Sequence, residues 1–222
     1  MPSVLKQMNV NGIDLAYEVR GNGKPLVLLH GNGGTHKIFN TKLLEPHFTC
    51  YLIDSRGHGK STRVPELHYR EMAKDVVEFL KRLDLKDVTL AGFSDGGILG
   101  LLIASQTDRV THLVACGANV EPGGLVLPFQ IFTKIAYFFK KNPLTYLMMA
   151  EPDIRDEELA KIKAKTLVLA GQFDLVRKRD TDHIARCIRN AKEIILPGET
   201  HGSYIVHSDK LAKLILRFTG HQ

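Results

Sequence analysis

A chain of 222 residues is long enough to bury one well-covered core, and 44% apolar with 24% charged residues reads as globular rather than disordered. The net charge of +6 is scattered over many segments without a basic stripe interleaved with aromatics, which argues against a nucleic-acid partner. No apolar run reaches the roughly eighteen residues that a transmembrane helix needs. The start, MPSVLKQMNVNG, carries no signal-like apolar core, and the three distant cysteines Cys50, Cys116 and Cys187 suit neither a disulfide framework nor a zinc site, so the cytoplasm is the expected compartment.

In chain order, residues 4–10 and 13–20 read as two strands around Asn11-Gly12, a tight hairpin signal. Gly21-Asn22-Gly23 then turns into PLVLLHG, a short apolar run of the kind buried on both faces of a sheet. Residues 48–54 predict a strand. Residues 69–83 predict a helix with Met72, Val76, Phe79, Leu80 and Leu83 on one face. The alternation continues with strand 88–93, helix 96–105 and strand 110–116. After an interruption it resumes as strand 166–170, helix 180–190, strand 193–196 and helix 205–218. Strands alternating with helices define an α/β fold, a mostly parallel twisted sheet with helices on both faces, and the opening hairpin adds antiparallel strands at one edge. The whole chain, 1–222, reads as one domain.

The interruption, about 121–165, is an insertion in that domain. On a helix its Gln130, Lys134, Tyr137 and Lys141 share one polar face, while Phe129, Ile131, Phe132, Ile135, Ala136, Phe138 and Phe139 cover the rest. Such a wide apolar arc needs cover on more than one side. A short helical lid over a pocket fits, and so does a homodimer contact or an interfacial membrane helix. As a lid, one of two faces lines the pocket: Phe132 with Phe139, or Ile131 with Ile135 and Phe138. Phe93, Phe132 and Phe139 are the expected pocket residues.

Gly92-Phe93-Ser94-Asp95-Gly96 matches G-x-S-x-G between the strand VTLAGF and the helix GGILGLLIAS. That setting defines a nucleophile elbow, in which a sharp turn projects Ser94 Oγ at the carboxyl end of the sheet. A serine hydroxyl needs a base. His201, in Gly198-Glu199-Thr200-His201-Gly202, follows the last strand, whereas His207 and His221 fall within or beyond the last helix. The base needs an acid to fix its tautomer. Asp174 follows strand TLVLA directly, and the rival position after the preceding strand holds Asn119, an amide that cannot serve. The chain order Ser94, Asp174, His201 is the one this elbow predicts. After PLVLL, the loop His30-Gly31-Asn32-Gly33-Gly34 offers main-chain N–H groups to an oxyanion. Asn32 is the favoured donor and Gly33 the alternative, partnered by the N–H of Asp95. His30 is expected to be structural. Asp54-Ser55-Arg56-Gly57-His58-Gly59-Lys60-Ser61 does not match a phosphate loop and reads as a tight, charged turn that buttresses the His30 loop.

HGNGG, DSRGHGKS, GFSDGG, GQFD and ETHG together resemble the α/β-hydrolase fold family over nearly the whole chain. The GFSDGG elbow looks most like its serine esterase and amino-acyl-ester branch, the valacyclovir-hydrolase-like proteins. The resemblance implies the same triad and oxyanion donors, no cofactor and no metal. The chain and its insertion are short for the family, so the family's substrate does not transfer. HGN is also similar to the loop of haloalkane dehalogenases, but those use an aspartate nucleophile where this elbow holds Ser94.

The expected reaction is hydrolysis of a small-molecule acyl substrate, a carboxylic ester first, through an acyl-enzyme. Thioester, lactone, amide and C–C bond cleavage are rivals on the same machinery. A ligand sensor that kept a hydrolase pocket is the non-enzymatic alternative. Asp95 has two readings, a carboxylate in the first turn of a helix or a partner for a substrate ammonium.

Overall fold

In a computed structural model describing residues 4–221, β1 (Lys6–Val10) and β2 (Ile13–Arg20) form the hairpin. Asn11 and Gly12 turn it with φ of 47° and 80°, the left-handed pair that suits the twist of a two-residue hairpin. Then come β3 (Lys24–Leu29), β4 (Phe48–Ile53), α1 (Tyr69–Arg82), β5 (Val88–Phe93), α2 (Asp95–Gln106) and β6 (Val110–Cys116). The insertion carries α3 (Leu127–Lys140), α4 (Pro143–Ala150) and the short α5 (Asp156–Leu159). The chain closes with β7 (Lys165–Phe173), α6 (Lys178–Cys187), β8 (Ala191–Thr200) and α7 (Lys210–Thr219).

Among the described residues these strands make one eight-stranded sheet in the order β1-β2-β4-β3-β5-β6-β7-β8. β2 runs antiparallel to β1 and β4, and every later pairing is parallel. Alternation along the central strands divides the interior into two cores. Val27, Leu29, Leu90 and Leu113 face α1, α2 and α6, with Met72, Phe79, Leu99 and Ile184 packed against them. Leu26, Leu28, Ala91 and Val114 face the other way, onto Phe48, Tyr204, Leu211 and Ile215. With β3 and β5 buried on both faces, the sheet centre is a rigid platform, and the loops at its carboxyl edge are held at fixed positions.

Several boundaries differ from expectation: β7 runs on to Phe173, α6 spans Lys178–Cys187 rather than 180–190, and β8 spans Ala191–Thr200 rather than 193–196. The last helix starts at Lys210 rather than at residue 205, because residues 201–207 turn back on themselves. His207 has φ of 52° and its N–H donates to Ile38 O at 2.8 Å, which anchors that turn to the loop after β3. The helical insertion is divided into α3, α4 and α5: Lys141 leaves α3 in a left-handed cap with φ of 47°, and Asn142 caps α4.

Candidate active site

The turn from β5 to α2 is built on two glycines. A Cβ on Gly92 would meet Gly96 O at 1.9 Å, and one on Gly96 would meet Leu29 O at 2.1 Å. Only hydrogen at both positions lets strand, helix and the neighbouring β3 approach this closely. Between them Ser94 has φ of 54° and ψ of −116°, a region that costs a non-glycine residue on the order of 1–3 kcal/mol. Its N–H donates to Cys116 O at 2.8 Å, and its C=O accepts from Ile98 N at 3.0 Å. The strain is therefore over-determined from both sides, and Oγ stands clear of the sheet.

His201, on the turn after β8, brings Nε2 to 3.0 Å from Ser94 Oγ. Its Nδ1 lies 2.6 Å from Asp174 Oδ1. Asp174 follows β7 and is itself fixed: Oδ2 accepts from Gly171 N at 3.0 Å and Oδ1 from Val176 N at 2.9 Å. Burial alone pushes the Asp174 carboxyl up, but the hydrogen bond and charge of His201 and the two backbone donors outweigh it and hold the group below the usual carboxylate range. Ser94, His201 and Asp174 thus form one hydrogen-bonded chain at the carboxyl edge of the sheet. Asn119, the rival acid position, instead donates Nδ2 to Glu121 O at 2.7 Å.

The chain opens into a cavity of about 380 Å³ whose walls include Asn32, Gly33, Phe93, Ser94, Asp95 and His201. Among the described residues, the N–H groups of Asn32 and Asp95 have no protein acceptor. The Asn32 side chain ties the loop in place, donating to Asp95 Oδ2 and to Leu144 O in α4, both at 3.0 Å. Asp95 Oδ1 accepts from Tyr69 Oη at 2.8 Å. Burial pushes the Asp95 carboxyl above the ordinary range, and the Tyr69 and Asn32 hydrogen bonds offset part of that. No cationic side chain lies within 4.0 Å of it among the described residues.

Behind the loop, His30 is buried, with Nδ1 2.7 Å from Gly31 O and Nε2 accepting from Ser55 N at 3.1 Å. Those partners require the neutral ring with its proton on Nδ1. Burial lowers its pKa to about 4, which agrees. Asp54 accepts from the N–H groups of His36 and Lys60 at 2.8 and 2.9 Å, so the charged turn and the His30 loop are tied together.

Phe93 lines the cavity, its ring 4.9 Å from that of His201. Phe132 and Phe139 do not: they are 63% and 77% exposed. The face of Ile131, Ile135 and Phe138 is exposed as well. The expectation that one of these faces meets the pocket is corrected. α3 turns inward through Thr133, which is buried, and Phe129, which lines the cavity. The wheel shows how wide the apolar arc is but not which part of it is covered. Sequence reasoning also missed Tyr69 and Glu151. Glu151, on the cavity wall after α4, binds His68 Nδ1 at 2.7 Å and Tyr69 N at 2.9 Å. In the sequence Tyr69 reads only as the first residue of a helix, and nothing local marks Glu151.

A fold of this topology with a strained serine at the strand–helix turn defines a class, and the chain belongs to it: a family model for the alpha/beta hydrolase fold matches residues 24–149. It is a hydrolase of that family. The human serine hydrolase BPHL is 26% identical over 92% of this chain and 82% of its own length. The AB hydrolase superfamily protein YisY of Bacillus subtilis is 27% identical over 93% of this chain and 96% of its own. Among solved structures, carboxylesterase CesB from Bacillus subtilis superposes with a TM-score of 0.81 at 16% identity, covering 99% of this chain and 92% of that one, a likeness of fold alone.

Proposed function

We propose that this protein hydrolyses carboxylic esters of small molecules through an acyl-enzyme on Ser94. The observation that carries the reading is the unbroken hydrogen-bond chain from Ser94 Oγ through His201 to Asp174, set at the mouth of a cavity. His201 Nε2 takes the Ser94 proton as Oγ attacks the carbonyl carbon. The carbonyl oxygen becomes an oxyanion that accepts from Asp95 N–H and from Asn32 N–H, with Gly33 N–H the alternative donor. His201 then returns the proton to the leaving alcohol. In the second half water attacks the acyl-enzyme, again through His201, and the carboxylic acid departs. Asp174 holds the ring with Nδ1 protonated and stabilises its charge while Nε2 carries the extra proton. No step calls for a metal or cofactor.

An ester is the first substrate because nothing in this sequence of steps requires a stronger leaving-group acid than His201. Thioesters, lactones, amides and activated C–C bonds use the same groups and are the alternative substrates. The test has two arms. A fluorophosphonate probe labels Ser94 in an enzyme, and a panel of p-nitrophenyl esters of graded chain length shows turnover that Ser94→Ala abolishes. Neither labelling nor turnover would mean a ligand sensor in a hydrolase fold.

A further inference from the structure

We propose that α3 is an interfacial helix that seats the protein on an anionic phospholipid bilayer, so that the roof of the cavity lies against the membrane. The helix leaves Leu127, Ile131, Phe132, Ile135, Phe138 and Phe139 between 48% and 77% exposed. At 3.6 residues per turn these six fall on one continuous arc of about 140°. Among the described residues the main element contact of α3 is with α4, and the exposure of these six side chains leaves the arc uncovered by any described residue. An apolar patch of this kind on a folded domain marks an interaction surface.

Charge selects the occupant. Residues 122–150 contain no Asp or Glu, and their charged residues are Lys134, Lys140 and Lys141. None of the three makes an ion pair among the described residues, and Lys141 Nζ instead sits 4.8 Å from the centre of the Tyr137 ring. On the wheel Lys134 borders the apolar arc directly, and Lys140 and Lys141 close the end of the helix. Apolar and aromatic side chains flanked by unpaired lysines match the layering of a membrane surface, with acyl chains beneath phosphates. A two-fold contact with a second copy would bring these lysines towards their own equivalents, with no acid in the facing segment to neutralise them. The inner side of the same helix supplies Phe129 to the cavity wall. The bilayer would therefore lie one helix away from Ser94.

The experiment is vesicle flotation of the full chain with phosphatidylcholine alone and with about 30% phosphatidylglycerol added, at low and at high salt. The wild type should float with the anionic vesicles, and bind less at high salt. Two variants test the surface, Ile135→Ser with Phe138→Ser, and Lys134→Gln with Lys140→Gln and Lys141→Gln. Each should weaken binding at least about tenfold. Circular dichroism and Tm report that both variants fold. No flotation with anionic vesicles, or equal flotation of the folded Ile135→Ser/Phe138→Ser protein, overturns the proposal. So does a lipid-free dimer of the wild type that this variant dissociates, which would give the face to a second copy. Binding is read without turnover, so failure of the ester assignment leaves this result standing.

Discussion

Asn32 and Asp95 are joined side chain to side chain, Nδ2 to Oδ2 at 3.0 Å, although one lies on the loop after β3 and the other opens α2 after β5. They are the same two residues whose main-chain N–H groups are unclaimed beside Ser94. The side-chain bond therefore sets the spacing of the proposed oxyanion donors. Asn32→Ala keeps both N–H groups and removes the strut that aims them. It is expected to lower kcat by roughly tenfold with little change in KM, less than deleting a donor outright. Steady-state kinetics on a short p-nitrophenyl ester checks this, and a purely structural role would instead lower Tm at unchanged kcat.

Asp174→Asn replaces an acceptor towards His201 Nδ1 by a group that can donate, so the ring loses its enforced tautomer. Turnover is expected to fall by on the order of 10⁴, with substrate binding nearly unchanged. Presteady-state burst measurements with a chromogenic ester give both quantities. A near-normal kcat would dismiss Asp174 as the orienting acid.

Asp95 lines the cavity, and its buried carboxyl has two neutral donors and no cation within 4.0 Å among the described residues. A substrate ammonium would supply the missing charge, and a desolvated pair of that kind is worth about 1.5–3 kcal/mol. Asp95→Asn is then expected to lose roughly tenfold or more in kcat/KM on an α-amino-acyl ester relative to a neutral ester of matched size. Equal losses on both esters would leave Asp95 as the strut partner of Asn32 alone.

His30 provides a pH prediction. In the folded protein it titrates at about 4, whereas an exposed imidazole titrates at 6.5. Between those values the unfolded chain binds a proton that the native protein refuses, so stability falls as pH drops from 6.5 to about 4. The contribution of this one ring is on the order of 3 kcal/mol over that window. His30→Asn is expected to lower stability at neutral pH through lost packing, yet to flatten this slope. Urea denaturation at a series of pH values separates the two effects, and an unchanged slope would mean another group carries it.

Wherever one physical cause acts alone, the sequence was a sufficient guide. The Asn11-Gly12 hairpin signal placed β2 to the residue, and short apolar runs bounded by turns did the same for β5 and β6. The glycines at 92 and 96 announced the elbow because only hydrogen fits beside Gly96 O and Leu29 O. Position after a strand pointed to His201 and Asp174, and the structure brings both to Ser94 at one sheet edge. Legibility ended where tertiary contact decides. The apolar arc of α3 spans more than half the wheel and holds both Phe129 and Phe132, so it does not tell the inward ring from the outward one. Glu151 reaches the cavity through the path of a loop, and its pairing with His68 joins residues far apart in the chain. Residues 205–209 read as helix because their composition permits one, whereas 205–207 belong to the turn that precedes α7. The bond from His207 N to Ile38 O is long-range and leaves no local mark.

The backbone of Ser94 holds a conformation that glycine adopts freely and serine does not. The position of the proposed nucleophile is thus also a point where the fold works against itself. Ser94→Ala keeps that burden, whereas Ser94→Gly sheds it along with the proposed nucleophile. The glycine variant is expected to melt higher than the wild type by an amount set by the released strain, on the order of 1–3 kcal/mol, less the extra chain entropy of glycine when unfolded. A thermal-shift screen for improved variants that reads melting alone would then rank a dead enzyme above the living one.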